Sequence, residues 1–194
     1  MKTYISGKIS GLLFNDVQKK FEEAEDLLNS WGMSPVNPLK NGLCRSESWE
    51  RHMIQDIRML FECKAILMLD NWMDSKGARI ERYIAEEQGM IILSESGLHE
   101  IKSVEDAIYK AMGLKFPDYT KPGEKKRNHY YARLIYVKHI HKFYSIEEIA
   151  RSLNRSPQTL RPYLNIFAKE FKYNTEFRVL ASKIEAIILK SVSQ

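Results

Sequence analysis

The sequence predicts two domains of different class, a small doubly wound α/β domain followed by an all-α domain. Up to about residue 112, apolar runs typical of buried parallel strands alternate with segments of helical periodicity. Residues 113–124 lack periodicity and hold two prolines and two glycines, which predicts a linker. The charge divides at the same place: residues 1–112 carry 14 Lys and Arg against 18 Asp and Glu, and residues 113–194 carry 16 against 7. The predicted domains are therefore 1–112 and 125–194.

The first domain is predicted from four extended segments and the amphipathic segments between them. Strands are expected to begin near Tyr4, Ala65 and Met90, and a short extended segment begins at Ser34. Apolar residues at three- and four-residue intervals predict helices over 13–31, 49–61 and about 77–88, and a short helix capped by Ser103 runs through residue 110. Strands that alternate with helices indicate a parallel sheet covered on both faces.

The second domain is predicted to consist of helices only. A basic run, 125–127, opens a helix that extends to about His141. Ser145 caps a short helix, with Glu148 three residues later, and Ser156 caps the next helix, which continues to about residue 171. A last helix begins near Thr175.

The composition limits the classes of protein to which the chain can belong. An apolar fraction of 44% and a charged fraction of 28% are ordinary for a soluble globular protein. No apolar run approaches the roughly 18 residues that span a bilayer, and the N-terminus lacks the apolar core of a signal peptide. Cys44 and Cys63 have no metal-binding spacing and fit a reducing compartment. We expect a cytoplasmic protein with no membrane partner, no metal ion and no cofactor.

The stretch from Asp70 to Glu81 is the first candidate functional site. It follows a predicted buried strand and opens a helix, so that Glu81 projects from the first turns of that helix. Loops at the carboxyl ends of parallel strands bind ligands in open α/β sheets. A carboxylate there, beside Gly77, is a candidate catalytic group. The alternative is a surface glutamate favoured by the helix dipole.

The first domain resembles the nucleoside 2-deoxyribosyltransferase superfamily, which includes the 2′-deoxynucleoside 5′-monophosphate N-glycosidases. The residues that carry the resemblance are the set Tyr4-x-Ser6-Gly7, Asp56, and Ser75-x-Gly77-x-x-x-Glu81, within about residues 1–93. The resemblance implies a fold of the Rossmann or flavodoxin type and a nucleoside or nucleotide substrate. It also implies a homo-oligomer that completes its sites across subunits.

The resemblance implies a role for each matched residue. Glu81 matches the nucleophile that attacks C1′ of a deoxyribose and forms a covalent intermediate. Asp56 matches the carboxylate that handles protons on the leaving base, and Tyr4 matches the tyrosine that orients the nucleophile. Ser75 matches a position at which the monophosphate N-glycosidases carry a serine. Because a hydroxyl group can donate to a phosphate, this residue favours a substrate with a 5′-phosphate. Trp72 is either a stacking wall for a base or a cover for the sheet edge. The expected substrate contacts are Ser6, Gly7, Lys8, Ser10, Trp72, Ser75 and Gly77.

Residues 145–160 follow the pattern of a helix-turn-helix, Ser-Ile-x-x-Ile-Ala-x-x-Leu-Asn-Arg-Ser-x-x-Thr-Leu. Together with the helices on either side, this half resembles the C-terminal DNA-binding domain of the replication initiator DnaA, over about 125–188. Only Thr159 matches the Asp-His-Thr-Thr run of the initiator's recognition helix, and Pro162 stands inside the predicted helix.

The resemblance and the basic charge imply double-stranded DNA as a partner of the second domain. The alternative is a helix-turn-helix that serves in packing or in binding another protein. The expected phosphate contacts are Lys125, Lys126, Arg127 and Arg155, and the expected base contacts are Gln158, Thr159 and Arg161.

Three functions follow from these features. The first is an enzyme that hydrolyses or transfers at the N-glycosidic bond of a 2′-deoxynucleoside or its 5′-monophosphate, with an attached DNA-binding module. The second is a DNA-binding regulator whose α/β domain senses a nucleotide without turning it over. The third is a glycohydrolase that processes a dinucleotide such as NAD.

Overall fold

The computed structural model describes residues 1–192, so the last two residues of the predicted second domain lie outside it. The chain divides into two compact units, 1–96 and 97–194. This division falls earlier than the predicted boundary at residue 112. The reason is that the helix from Glu95 to Met112 contributes Val104, Ala107 and Ile108 to the core of the second unit.

The first unit is a four-stranded parallel sheet with flanking helices, as the sequence predicts. The strands are β1 (Lys2–Ser6), β2 (Ser34–Val36), β3 (Ala65–Met68) and β4 (Ile91–Ser94), in the order β2-β1-β3-β4. This order is that of the flavodoxin type, whose ligands bind at the carboxyl ends of the first and third strands. The helices of this unit are α1 (Phe14–Ser30), α2 (Trp49–Phe61) and α3 (Lys76–Glu87), and α4 (Glu95–Met112) starts at its end.

Local chemistry explains where these elements begin and which sides they bury. The buried residues of α1, which include Val17, Phe21 and Ala24, recur every three or four positions. All four residues of β3 are buried, as expected for a central parallel strand. Ser48 and Ser75 cap α2 and α3, because their side chains accept hydrogen bonds from backbone N–H groups of the first helical turn.

The second unit is helical, as predicted. After α4 come α5 (Phe116–Thr120), α6 (Arg127–Ile140), α7 (Ile146–Ser152), α8 (Pro157–Leu160), α9 (Tyr163–Tyr173) and α10 (Thr175–Val192). Nine residues of α6 are buried, and they lie on all sides of that helix. A helix buried all round occupies the centre of its unit, and the other helices pack around this one.

Three predictions for the second half require correction. The short helix capped by Ser103 is the longer α4, which starts at Glu95 and contains that serine in its interior. The predicted linker 113–124 contains α5, and Tyr119 in it is fully buried. The predicted helix from Ser156 to residue 171 is two helices, α8 and α9, because Pro162 lacks an N–H group and starts a new helix.

No helix within residues 1–192 is both long enough and apolar enough to cross a membrane.

Candidate active site

Glu81 is held in place by two hydroxyl groups of strand β1. Tyr4 and Ser6 are two residues apart on that strand, so their side chains point to the same face of the sheet. Helix α3 packs on this face and buries Glu81 to 5% exposure. The Tyr4 hydroxyl donates to Glu81 Oε1 at 2.7 Å, and the Ser6 hydroxyl donates to Oε2 at 2.6 Å. Each carboxylate oxygen therefore has one hydrogen-bond donor from the sheet.

Asp56 is the second buried carboxylate of the site. It lies on α2, which packs beside α3, and is 7% exposed. The side chain of Asn41 donates from Nδ2 to Asp56 Oδ1 at 2.9 Å. Burial raises the pKa of Asp56, while the hydrogen bond from Asn41 and the charge of His52 act in the opposite direction.

The pKa of Glu81 is also set by burial, which raises it, and by hydrogen-bond donors, which lower it. Burial raises the pKa of Glu81 to about 7, against the lowering effect of the two hydroxyl donors, and the charge of Asp56 raises it further. Burial and the neighbouring carboxylates also raise the pKa of Tyr4 well above its usual value. Tyr4 therefore stays a hydrogen-bond donor at neutral pH, and Glu81 titrates near neutrality.

Both carboxylates line one cavity of about 510 Å³. This volume falls within the roughly 300–1,000 Å³ of small-molecule sites. The cavity is built from the segment after β1, the segment after β2, the face of α2 and the start of α3. Its polar and charged lining residues are Ser10, Asn41, Arg45, Glu47, His52, Asp56, Ser75 and Glu81. The apolar and aromatic residues of the wall are Ile9, Leu12, Phe14, Val17, Pro38, Leu39, Leu43, Trp49, Met53 and Ala78.

Two glycines permit close approaches at this site. A Cβ atom on Gly7 would lie 2.7 Å from Leu69 Cδ1 and 3.1 Å from Asn71 Oδ1. A Cβ atom on Gly77 would lie 3.0 Å from Met53 Sδ, between α3 and α2. Glycine at these positions lets the segment after β1 pass close to β3 and lets α3 begin against α2.

The other predicted substrate contacts divide into two groups. Ser10, Gly7, Gly77 and Ser75 line the cavity, and the Ser75 hydroxyl also accepts from the Ala78 N–H at 3.2 Å as the cap of α3. Ser6 reaches the site through Glu81.

Two expected contacts lie elsewhere. Lys8 is outside the described lining, and its backbone N–H donates to Asn71 at 3.0 Å. Trp72 is also outside the described lining: it packs against the cluster around Tyr4 and Ile66, with the Arg82 guanidinium 4.4 Å from its ring centroid. Of the two roles predicted for Trp72, covering the sheet fits this position.

Sequence reasoning missed several lining residues. His52 is one of them: its Nδ1 lies 3.2 Å from Asn41 Nδ2, and its Nε2 lies 3.2 Å from the Cys44 carbonyl oxygen. Arg45 and Trp49 also line the cavity. One signal was present: His52 and Asp56 are four residues apart on a predicted helix and therefore share a face. The segment 41–47, which lacks periodicity, offered none.

Within residues 1–192, no group of three or more His, Cys, Asp and Glu side chains is placed to hold a metal ion.

In the second unit, the residues expected to contact DNA fall into different environments. Lys125, Lys126 and Gln158 are exposed, and so is Thr159, whose hydroxyl lies 2.9 Å from Ser156 Oγ. Arg155 donates to backbone carbonyls, among them that of Lys121 at 2.8 Å, so its guanidinium ties α5 to the turn before α8.

Two further arginines are paired with carboxylates. Arg127 lies 3.3 Å from Glu176, and Arg161 lies 3.3 Å from Glu147. Both ion pairs are well exposed, and exposed pairs contribute little to stability and exchange partners easily.

The match to known protein families covers only residues of the first unit. Residues 1–94 match the model of a family described as a domain of unknown function (DUF4406). No curated protein and no solved structure matches the chain. The matched residues include every strand of the sheet and the helices that carry Asp56 and Glu81. The α/β unit with its candidate site is therefore the part of this chain that is similar to that family.

Proposed function

We propose that the first unit cleaves the N-glycosidic bond of a 2′-deoxynucleoside or its 5′-monophosphate. The observation that carries this proposal is the geometry of Glu81. It is a buried carboxylate in the wall of a ligand-sized cavity, held at both oxygens by Tyr4 and Ser6, with Asp56 in the same wall. A surface glutamate at a helix start has no such support, so the dipole alone does not account for it.

The chemistry assigned to these groups is a double displacement at C1′. In the first step, a Glu81 oxygen forms a bond to C1′, the bond from C1′ to the base nitrogen breaks, and the base leaves with a proton from Asp56. In the second step, water or an acceptor base attacks C1′, Asp56 takes the proton of the attacking group, and Glu81 is released. Tyr4 and Ser6 hold the nucleophile in place throughout.

The electrostatics of the pair set the pH at which the nucleophile is ionised. Burial raises the pKa of both carboxyls, that of Glu81 to about 7, and the charge of Asp56 adds to the rise at Glu81. The ionised nucleophile therefore forms as the pH rises through neutrality. The division between nucleophile and acid rests on the contacts of Glu81 with Tyr4 and Ser6.

The test is base release from a panel of deoxynucleosides, deoxynucleoside monophosphates and NAD, with the wild type, Glu81→Gln and Glu87→Gln. Glu87 is the matched control because it is the exposed last residue of the same helix. We expect release by the wild type and the control, and loss with Glu81→Gln. Rapid quenching with intact-mass measurement should show a deoxyribosyl adduct that the Glu81→Gln protein never forms. Release unaffected by Glu81→Gln contradicts the mechanism.

The same panel separates the other two functions. Release of nicotinamide from NAD, with deoxynucleotides untouched, indicates the dinucleotide glycohydrolase. Binding of nucleotides without any base release indicates the regulator whose α/β unit senses a nucleotide.

We also propose that the second unit binds double-stranded DNA. What supports this is a helix-turn-helix arrangement of α7 and α8, joined by a turn in which Asn154 has a φ of 51°, in a strongly basic half of the chain. Lys125 and Lys126 are exposed, and lysines that neutralise phosphates release counterions. The partners of Arg127 and Arg161 are exposed carboxylates, which a phosphate group can replace.

DNA binding is tested with the full chain, because the second unit begins well before the predicted linker. The measurement is fluorescence anisotropy of a labelled duplex over a range of salt concentrations. The double change Lys125→Gln and Lys126→Gln should weaken binding at every sequence and reduce the salt slope by about 1 for each phosphate that the protein no longer neutralises. A salt slope equal to that of the wild type would remove these lysines from the interface.

A homo-oligomer and a cytoplasmic location remain part of the proposal. Ile54 and Phe61, seven residues apart on α2, are 55% and 57% exposed and share one face of the helix. Light scattering across a dilution series measures the oligomeric state. Cys44 and Cys63 are free thiols, which accords with a reducing compartment.

A further inference from the structure

The Asn41 side chain makes three polar contacts, and their chemistry fixes which way its amide faces. Its Oδ1 accepts from the Leu43 N–H at 3.0 Å, while Nδ2 lies 2.9 Å from Asp56 Oδ1 and 3.2 Å from His52 Nδ1. Turning the amide over would place Oδ1 against a carboxylate and would place the amide protons against the Leu43 N–H. Only the observed orientation pairs a donor with an acceptor at every position.

The contact of His52 with the Cys44 carbonyl oxygen shows which of its ring nitrogens carries the proton. Its Nε2 lies 3.2 Å from the Cys44 carbonyl oxygen, which can only accept, so Nε2 carries the proton. In the neutral ring Nδ1 then has a free lone pair and accepts one Asn41 amide proton. The second amide proton goes to Asp56 Oδ1. The chain of bonds thus runs from the Cys44 carbonyl through His52 and Asn41 to Asp56.

We propose that Asn41 is a positioning residue for Asp56 and that His52 sets its orientation. This inference rests on the proposed function, in which Asp56 is the proton donor. Because the Asn41 amide donates to Oδ1, a proton on Asp56 sits on Oδ2, and Asp56 lines the cavity. All polar atoms of the Asn41 side chain are engaged within the protein, so it acts on the substrate through Asp56. The same amide holds the segment 41–47, whose residues form part of the cavity wall.

The variant that isolates this role is Asn41→Asp. It keeps the shape and the acceptor for the Leu43 N–H, but it removes both donors and adds a negative charge next to Asp56. The titratable groups that face Asp56 include His52 on its own helix, which carries a charge only when it is protonated, and the charge of Asp56 in turn acts on Glu81 and Tyr4. Asn29→Asp is the matched control, because Asn29 is exposed on α1 and undergoes the same chemical change.

Two measurements read the effect. Base release should show kcat about 10- to 100-fold lower for Asn41→Asp, with KM within about twofold of the wild type, as expected when a proton donor is misplaced. Carbon-13 NMR titration of the aspartate carboxyls should show the Asp56 midpoint moved to higher pH, and this measurement does not require turnover. If the Asp56 midpoint matches that of the wild type and Asn29→Asp, the proposal is overturned.

Two variants of His52 test its role, and they provide an independent test if Asn41→Asp does not fold. His52→Asn places an amide oxygen near the Nδ1 position and keeps an acceptor for Asn41, whereas His52→Leu removes it. We expect the asparagine variant to keep most of the wild-type kcat and the leucine variant to lose it about 10-fold or more. Equal activity of the two variants contradicts the role given to His52.

Failure of the proposed function would look different. The wild type would then release no base from any substrate, while the Asp56 midpoint would still rise in Asn41→Asp if the amide positions that carboxyl. An unchanged midpoint would overturn the positioning role regardless of activity.

Discussion

Replacing Glu81 with glutamine should stabilise the first unit at alkaline pH and leave it nearly unchanged at acidic pH. Glutamine has the shape of the protonated acid, so it can keep the contacts with Tyr4 and Ser6 if the serine hydroxyl turns to accept. What it removes is the charge that the wild type has to bury. The variant therefore separates the free energy of that charge from the packing of the side chain.

The magnitude follows from the raised pKa. In the unfolded chain Glu81 titrates near 4.5, and in the folded unit near 7. Between these values the folded state binds more protons than the unfolded state, so the free energy of unfolding falls as the pH rises. At about 1.36 kcal/mol for each pKa unit, the wild type loses about 3 kcal/mol between pH 4.5 and 7, and the loss is complete above 7. Glutamine shows no such loss.

The assay is urea unfolding at a series of pH values, followed by tryptophan fluorescence. Trp31, Trp49 and Trp72 are the three tryptophans of the chain, and all lie in the first unit, so the signal reports on this unit alone. The difference in unfolding free energy between Glu81→Gln and the wild type should grow through the window from 4.5 to 7. Glu62→Gln, a change at an exposed side chain, serves as the control. A difference that stays constant with pH would refute the reasoning.

Three further predictions follow from single contacts. Ser6→Ala removes a donor that lowers the pKa of Glu81, so the acid limb of the kcat/KM profile for base release should move up by about one pH unit. Gly7→Ala brings a Cβ to 2.7 Å from Leu69 and should destabilise the first unit by about 1–3 kcal/mol in urea unfolding. Phe177→Ala empties a fully buried position and should destabilise the second unit by about 3–5 kcal/mol, measured by circular dichroism during thermal unfolding.

The helices and strands of the α/β unit could be predicted because each has a local signal in the sequence, either an apolar run or a helical period. The run from Ala65 to Leu69 is apolar throughout, and the periodic residues of α1 lie on one face. The second unit was harder, because its boundaries depend on tertiary packing. The helix α5 within 113–124 is only five residues long and shows no periodicity, yet Tyr119 in it is buried, with its ring centroid 6.2 Å from that of Tyr136. Pro117 stands in the first turn of this helix, where proline is favoured, and Pro122 and both glycines lie outside it.

The site was predictable in part for a similar reason. Glu81, Asp56 and Tyr4 come from regular elements, so their faces follow from the helical and strand periods. Asn41 and Arg45 lie in a segment without periodicity, where only the folded chain determines direction. For Trp72 the sequence left two roles open, a stacking wall for a base or a cover for the sheet edge, because neither period fixes the direction of a side chain in a loop; its ring packs on the sheet.

The burial of Glu81 bears on whether the site is functional or structural. A charge that costs about 3 kcal/mol is a large fraction of the roughly 5–15 kcal/mol by which domains are stable. Glutamine would fill the same space and satisfy the same two hydroxyls without that loss, so packing alone does not explain a carboxylate there. Two donors on β1 and a neighbouring acid on α2 are arranged around the ionisable group, in the wall of a ligand-sized cavity. We expect Glu81→Gln to be more stable than the wild type above pH 7 and inactive in base release. That result would mean that the folded unit is less stable because the reaction needs an ionised carboxylate at this position.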